Sequence, residues 1–502
     1  MMTLDRNAMM DRLREEVLWD VCIIGGGATG LGIAFEAASS GLTTLLIERD
    51  DFAKGTSSRS TKLLHGGVRY LEQGKIALVK EALRERDRVL HNAAGHVQSQ
   101  GFVIPVKRRW RQVYYGLGLL CYDLLSGRRK WGRTTALNAA ELRLKFPKVA
   151  DQGAIAGLRY SDGKFDDVGL ALSLAKASAA QGAVLVNHCA VTSLNKTTGQ
   201  ITGVTVHDDI AGETMDINAK VVINACGPFG DSVCRMDDPQ HENRLQPSQG
   251  IHLVFDGDVM PGDDAVLIPK TDDGRVLFAV PWMGKVLIGT TDTALDEVTA
   301  EPTAREDEID FVLDHANRHL GLGLKRADIR SVFAGLRPLI KGRRDETADL
   351  SRSHEVSMSP SGLVNVRGGK WTTYRKMAED TLAFLLRKKA LSFTPADTRY
   401  SRIVEGPLPD RLSLPTEEKA LRAAVTKPVS QEMCISVEDF LARRFRTLFL
   451  DARLAIASAP QVATMLSEAH GFSAEWAQNE ASQFQKLAQR YLPQERKSGY
   501  SE

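Results

Sequence analysis

The stretch DVCIIGGGATGLGIAFEAASSGLTTLLIERD, residues 20–50, limits the fold more than any other part of the chain. Val21 to Ile24 reads as a short buried strand of the kind a parallel sheet uses. Gly25, Gly27 and Gly30 then form G-x-G-x-x-G, a helix runs to about Ser40, and a second buried run, TTLLIE, ends on Glu48. The first glycine permits a tight turn, the second lets a pyrophosphate approach, and the third lets helix and strand pack closely. The acid ending the second strand accepts ribose hydroxyls. Strand, glycines, helix, strand and acid in this order predict a dinucleotide on the helix N-terminus.

NAD and FAD both use this arrangement, and the next residues bear on the choice. ERDDFAKGTSSRSTKLLHGGVRYLE does not lead straight into another βαβ unit. Thr56, Ser57, Ser58 and Ser60 supply hydroxyls and Gly66-Gly67 supplies bare backbone, which suits a long cofactor running from pyrophosphate to isoalloxazine. A solvated surface loop is the plainer reading. Arg69 and Tyr70 place a fixed cation and a phenol just beyond the glycine pair.

At 502 residues the chain exceeds one core, so two or three domains are expected. Its 65 basic and 63 acidic residues leave a net charge of +2, which argues against a dedicated nucleic-acid binder. The six cysteines (Cys22, Cys121, Cys189, Cys226, Cys234, Cys434) form no CxxC pair. That usage fits a reducing compartment with no metal cluster and no disulfide framework. The opening MMTLDRNAMMDRLREEVLWD mixes acids and bases without an apolar core, so it reads as a short helix and not as a targeting segment.

Further on, Asp166 to Gln181 has helical spacing with Gly182 as its stop. AVLVNHCAVTSL reads as a strand, the stretch through Gly199 and Gly203 as hairpins, and KVVINACGPFGD as a buried strand ending in small residues. Such strand ends lie at the carboxyl edge of a sheet, where cofactors bind. From about Ile251 to Thr293 the pattern becomes short alternating strands, with turns at Asp272-Asp273-Gly274 and Met283-Gly284. A helix from about Ala304 to Leu320 is expected outside them. After about residue 390 the chain reads as helical, and SVEDFLARRFRTLFLDARLAI opens with a Ser436/Asp439 capping signature. No calcium loop D-x-D-x-D-G follows it.

KRRWRQVYYGLGLLCYDLLSGRRKWGR, residues 107–133, raises the question of a membrane. Its apolar part, Val113 to Leu125, is too short to cross a bilayer. Basic clusters flank it, with Trp110, Tyr114, Tyr115 and Trp131 at its edges, which suits an anchor lying on anionic lipid. A core helix with solvated charges at its ends is the other reading.

IGGGATGLGIAFEAASSGLTTLLIERDDFAKGTSSRSTKLLHGGVRYLE resembles the opening of the FAD-dependent, respiratory glycerol-3-phosphate dehydrogenases. VVINACGPFGD, SQGIHLVF, VPWMGKVLIGTTDT, FAGLRPLI and VRGGKWTTYRKMAED follow in that family's order, from about residue 19 to 385. The family commonly has threonine where this chain has Cys226 and Phe445, and tryptophan where it has Phe229. The resemblance implies an α/β fold of the D-amino-acid-oxidase type: a Rossmann-like FAD-binding domain, a β-sheet substrate domain and a C-terminal helical domain. Expected boundaries are 15–95, 150–245 and 355–390 for the first, 96–149 and 246–354 for the second, and 391–502 for the third.

It implies noncovalent FAD held by Gly25, Gly27, Gly30, Glu48, Thr56, Ser57, Ser60, Lys62, Leu63, His65, Gly66, Ala190, Gly227, Gly369, Lys370 and Thr372, with no metal. It implies glycerol 3-phosphate as substrate, bound by Arg69, Tyr70, Arg337 and Lys370. A phosphate dianion needs two or more basic groups, one of them preferably an arginine fork. His252, Arg337 and Arg352 are the implied catalytic set. Histidine suits proton removal without special tuning, and whether His252 or Arg352 takes the proton stays open. Electrons would pass to membrane quinone from a peripheral site on the inner, cytoplasmic face of the cell membrane. An oxidase passing them to oxygen as peroxide and a non-catalytic flavin-containing membrane module are the alternatives. The oligomeric state is open, with a homodimer one option.

Overall fold

The computed structural model describes residues 4–72, 74–127, 131–272, 274–341, 354–404 and 413–494. Arg352, Arg128, Arg129 and Asp273 lie outside them, and Arg69 is described in its backbone only.

Hydrophobic strands covered on both faces build the first sheet. Trp19–Ile24 is buried along nearly its whole length. It lies parallel to Thr44–Ile47 on one side and to the carboxyl half of Glu213–Asn224 on the other, with Ile24 opposite both Ile47 and Asn224. Val184–Val186 and Val364–Gly368 extend this parallel core, and His354–Met358 adds an antiparallel edge. The stretch AVLVNHCAVTSL is two strands, Val184–Val186 and Cys189–Thr197. They part at Asn187, whose amide is drawn to Asp51 and the Met433 carbonyl, and at His188, which takes φ 48°. Cys189–Thr197 then pairs with Gln200–Asp208, and that strand with the amino half of Glu213–Asn224. Helices Ala28–Ser39, Asp167–Ala180 and Tyr374–Arg387 pack on the sheet.

A second, mainly antiparallel sheet stands beside the first. Leu245–Asp256 runs against Ser331–Ile340 from Leu245↔Ile340 to Val254↔Ser331. Lys285–Gly289, Leu277–Trp282, Ala265–Ile268, Val97–Val106 and Ala156–Phe165 follow in order. The Met283-Gly284 turn has φ 48° and 74°, the left-handed pair that a two-residue hairpin needs. Glu306–Leu320 covers the outside of this sheet, close to the expected span from Ala304 to Leu320, and ends on left-handed Gly321. One expected boundary is corrected. Residues 156–165 do not go with the dinucleotide-binding segment, because Ala156–Phe165 is hydrogen-bonded along its length to Val97–Val106 in the second sheet.

The C-terminal region is helical, but residues 436–456 are not one helix. The chain widens into a π-helical turn at Asp439–Arg444, turns left-handed at Arg446 with φ 57°, and restarts at Thr447–Leu450. Asp451 then caps Ala452–His470. The interruption turns Arg443, Arg444 and Arg446 inward, each with a side chain no more than 2% exposed. Arg443 and Arg444 reach across to Asp51 of the first domain at 2.5 and 2.6 Å. A buried carboxylate between two guanidinium groups is costly to remove, since the excess positive charge left behind is then balanced only by Glu438 and Asp439 at Arg443 and by Glu432 at Arg444. Asp51→Ala is expected to destabilise the protein by about 3–5 kcal/mol. Chemical denaturation would check this, and limited proteolysis should release the C-terminal helices first.

Candidate active site

The first glycine turn has the shape its sequence predicts. Gly25 takes φ 107° beneath the Ala225 carbonyl, and any side chain at Gly30 would run onto the Gly25 carbonyl. Gly27 caps the helix without a side chain, and the Ala28 N–H donates to Ser57 Oγ at 2.9 Å. Glu48 accepts from the Gly26 N–H at 2.6 Å and the Asp50 N–H at 2.9 Å. Burial pushes its carboxyl above the ordinary range, against those two bonds. Ala190 sits beside this point, directly after Cys189, whose N–H donates to the Glu48 carbonyl. Gly227, with φ 53°, opens the turn after Glu213–Asn224. A bare helix N-terminus, an acid at the neighbouring strand end and small residues around both fit the phosphates and ribose of a dinucleotide. Cys226 lies beside it, but burial holds its thiol protonated and it donates to the Ile24 carbonyl, so it is no nucleophile.

The polar loop after this turn ties three parts of the chain together. Thr56 Oγ1 donates to the Leu336 carbonyl at 2.6 Å, and Trp371 Nε1 to the Ser57 carbonyl at 2.8 Å. Ser60 Oγ donates to Asp167 at 2.8 Å. The Lys62 side chain does not face a cofactor. It is wholly buried and donates to Asp167 at 2.7 Å and to the Ser58 carbonyl at 2.5 Å. Leu63 is buried in a two-residue strand opposite Lys164. The Thr372 hydroxyl lies 3.5 Å from the His65 carbonyl. Gly369 has φ 80°, and a side chain there would strike Met377.

What crowds the Gly66-Gly67 backbone is protein. A Cβ on Gly66 would lie 2.5 Å from Leu83 and 2.6 Å from Tyr122 Oη, and one on Gly67 would enter the Tyr70 ring. Tyr122 Oη accepts the Gly66 N–H at 2.8 Å and donates to Asp162 at 2.6 Å, and Asp162 pairs with buried Arg86. Arg69 and Tyr70 begin a short helix, Arg69–Glu72, and the Lys370 ammonium stands 4.6 Å from the centre of the Tyr70 ring.

His252 lies within Leu245–Asp256, between Gly289 and Phe333 of the neighbouring strands. Its ring stacks on Phe333 at 4.9 Å. Nε2 lies 3.1 Å from Thr61 Oγ1, while Nδ1 is buried and has no hydrogen-bond partner among the described residues. Burial, then Lys62, then Arg337 push its pKa down to about 3. The expectation of an untuned histidine is therefore corrected: this imidazole is neutral at physiological pH. Arg337 is not an idle fork. It donates to Asp292 at 2.8 Å, to Thr290 Oγ1 at 3.1 Å and to the Thr291 carbonyl at 2.9 Å, and so stands as a fixed cation. Lys62 and Arg337 thus both act on His252, and Lys370 pairs with Tyr70. Sequence reasoning missed Thr61, Asp167, Asp292 and Tyr122. Asp292 had a signal within VLIGTTDT, whereas Tyr122 was hidden in the stretch read for a membrane.

Tyr122→Phe removes one hydroxyl that serves both Gly66 and Asp162. A stability loss of about 1–3 kcal/mol is expected. Urea unfolding measures it, and a variant as stable as the parent would mean the hydroxyl does not hold the loop.

Residues 20–375 match the family model for FAD dependent oxidoreductases, and residues 398–477 match that for the C-terminal domain of alpha-glycerophosphate oxidase. The chain is 34% identical over 543 residues to the mitochondrial glycerol-3-phosphate dehydrogenase SDP6 of Arabidopsis thaliana, which covers 94% of this chain and 86% of that protein. It is 39% identical over 409 residues to the mitochondrial glycerol-3-phosphate dehydrogenase of Homo sapiens, which covers 78% of this chain and 56% of that relative's length. The chain thus spans just over half of several mammalian relatives. The glycerol-3-phosphate dehydrogenase from Bacillus halodurans, solved complexed with FAD, matches with a TM-score of 0.78 at 28% identity, covering 98% of this chain and 99% of that one. L-alpha-glycerophosphate oxidase from Mycoplasma pneumoniae, at 19% identity and a TM-score of 0.60, shares the fold over 78% of this chain and 100% of that one. On these matches, and on a glycine turn that fits its cofactor, the chain belongs to the FAD-dependent glycerol-3-phosphate dehydrogenase family.

Proposed function

We propose that this chain oxidises sn-glycerol 3-phosphate to dihydroxyacetone phosphate with noncovalent FAD and passes the electrons to a membrane quinone. The observation that carries the reading is His252: a buried, neutral imidazole whose Nδ1 has no hydrogen-bond partner among the described residues, next to Lys62 and the fixed cation Arg337. FAD, when bound, would supply the hydride acceptor for the C2 hydrogen. His252 takes the proton of the C2 hydroxyl. So weak a base accepts that proton only as the hydride leaves and the hydroxyl becomes acidic. Arg337 supplies a permanent charge to the phosphate dianion, pre-oriented by Asp292 and two threonines, and Arg69, Tyr70 and Lys370 complete the substrate site. Arg352 remains the other candidate for the proton and lies outside the described residues.

The quinone reading draws on the helix Arg109–Leu125. Trp110, Val113, Tyr114, Leu117, Leu120 and Leu124 recur at helical spacing and are each 54–74% exposed. Leu119 and Tyr122 face inward. Lys107, Arg108, Arg109 and Arg111 are exposed at its amino end. An apolar stripe beside a basic cluster suits the surface of an anionic bilayer. No described helix is long and apolar enough to cross a membrane. Trp131 is not part of this face, because it is buried under Arg86 at 4.6 Å and donates to Asp87. A second reading, transfer to oxygen with release of peroxide, is favoured by the match of residues 398–477 to the oxidase C-terminal domain.

Arg337→Ala is expected to lower kcat/KM for glycerol 3-phosphate by roughly ten- to several hundred-fold, the worth of one charge-assisted bond in a dry site. FAD content should hold, and glycerol should lose little further. Steady-state assay with quinone and with oxygen, peroxide being measured in the same run, tests both the substrate and the acceptor. Unchanged kcat/KM in the variant would remove the physical support for the substrate.

Leu117→Glu with Leu124→Glu should lower binding to anionic vesicles by about tenfold or more, given roughly 1.5–3 kcal/mol per buried leucine. Activity with a soluble dye should survive. Cosedimentation reads the first and dye reduction the second, and unchanged sedimentation would place the anchor elsewhere.

A further inference from the structure

Behind His252 lies a polar cluster that the proposed reaction does not use. Lys62 and Asp167 have wholly buried side chains, and that of Arg446 is 2% exposed. Asp167 Oδ2 receives Lys62 Nζ at 2.7 Å and Ser60 Oγ at 2.8 Å. Oδ1 receives Arg446 Nη2 at 3.2 Å and the Val168 N–H at 3.0 Å. Lys62 and Arg446 also share the Ser58 carbonyl, at 2.5 and 3.0 Å. Two of the three ammonium protons are thereby directed. The ammonium stands within an aromatic box, 5.2, 5.3 and 5.4 Å from the ring centres of Trp282, Phe333 and Phe449. Arg446 stands 4.6 Å from the Phe449 centre and 5.4 Å from that of Trp282.

Two features make this more than a structural ion pair. Two cations share one carboxylate here, and burial, with Arg446, outweighs Asp167 and Asp166 and brings the Lys62 pKa down to about 7, still above the range in which His252 takes a proton. The cluster also joins His252 by two routes. Phe333 is stacked on the imidazole and forms one wall of the Lys62 box, and Thr61, the residue before Lys62, meets His252 Nε2.

We propose that Lys62 is a positioning residue for His252: its ammonium, pinned by Asp167 and Arg446, keeps the imidazole uncharged and Thr61 against Nε2, so that a ring nitrogen can take a proton. This rests on the reading of His252 as proton acceptor. The charged groups bearing on the imidazole are Lys62 from the loop, Arg337 from Ser331–Ile340, and, through Lys62, Asp166, Asp167 and Arg446; Asp292 neutralises part of Arg337. A dianionic substrate would draw a proton onto the imidazole before reaction and so disable it. A neighbouring cation held in place opposes that premature protonation, whereas burial alone would have to yield to the incoming charge. The C-terminal region thereby enters the active site's electrostatics, since Arg446 and Phe449 belong to it.

Lys62→Met tests the idea with little change of volume, and Asp167 keeps Arg446, Ser60 and the Val168 N–H. Two readouts are made on the holoenzyme. One is the pH titration of the His252 13Cε1 signal, assigned by its loss in His252→Asn, and the other is the pH profile of kcat/KM for glycerol 3-phosphate. In Lys62→Met both the onset of imidazole protonation and the acid limb of kcat/KM should move up by about one pH unit. Lys62→Arg should leave them near the parent values. Where the methionine variant does not fold, Lys62→Gln, which keeps a donor for the Ser58 carbonyl, should show the same direction. An unmoved His252 signal in a folded, uncharged variant overturns the proposal. If the signal moves and the acid limb does not, Lys62 tunes His252 as proposed, and the assignment of His252 as proton acceptor is what fails.

Discussion

Asp167 is the interaction on which the rest of the arrangement depends. It begins a helix of the first domain, and its two oxygens serve Ser60 and Lys62 from the polar loop and Arg446 from the C-terminal region. Three stretches distant in sequence are thus held by one carboxylate that water does not reach. The loop carrying Thr56 to Gly66 lacks regular structure of its own beyond a short turn and a two-residue strand. Its shape comes from such long-range bonds, among them Thr56 to the Leu336 carbonyl and Trp371 to the Ser57 carbonyl. Buried charges of this kind are weak devices for stability but strong ones for specifying a single geometry, because every alternative leaves a charge unpaired.

The two sheets divide the chemistry. The parallel sheet offers strand ends and a helix N-terminus, which fit a dinucleotide through backbone. The antiparallel sheet offers side chains standing off a rigid floor, and Leu245–Asp256 alone carries Ser248, which holds Arg337, and His252. Arg337 lies on the adjoining strand with its guanidinium fixed by Asp292 and the 290–291 backbone and hydroxyl groups. A cation so fixed loses little freedom when an anion arrives, which favours selection of charge and position.

Local patterns were legible in the sequence wherever the physics is local. The glycine turn, the helix Asp167–Ala180, the Met283-Gly284 hairpin and the helix Glu306–Leu320 each follow from spacing and turn chemistry within a few residues. Distant partners were not legible. Nothing near Lys62 announces that its ammonium turns to Asp167, and nothing near Gly66 announces that Tyr122 lies against it. The break at residues 439–451 was missed for the same reason. Its apolar spacing is helical, but three arginines with buried acceptors elsewhere in the fold override it.

The helix Arg109–Leu125 has two faces under different constraints. Outward, Val113, Leu117, Leu120 and Leu124 touch little of the protein; inward, Tyr122 holds the Gly66 backbone, and Ser126, just past the helix end, accepts from Arg86. Tolerance to substitution should therefore alternate along the helix with its own turn. Changes on the outer face alter what the molecule adheres to, whereas changes one or two positions away alter its interior. Anyone seeking a better-behaved preparation for crystallisation can redesign the first set freely and should leave the second untouched.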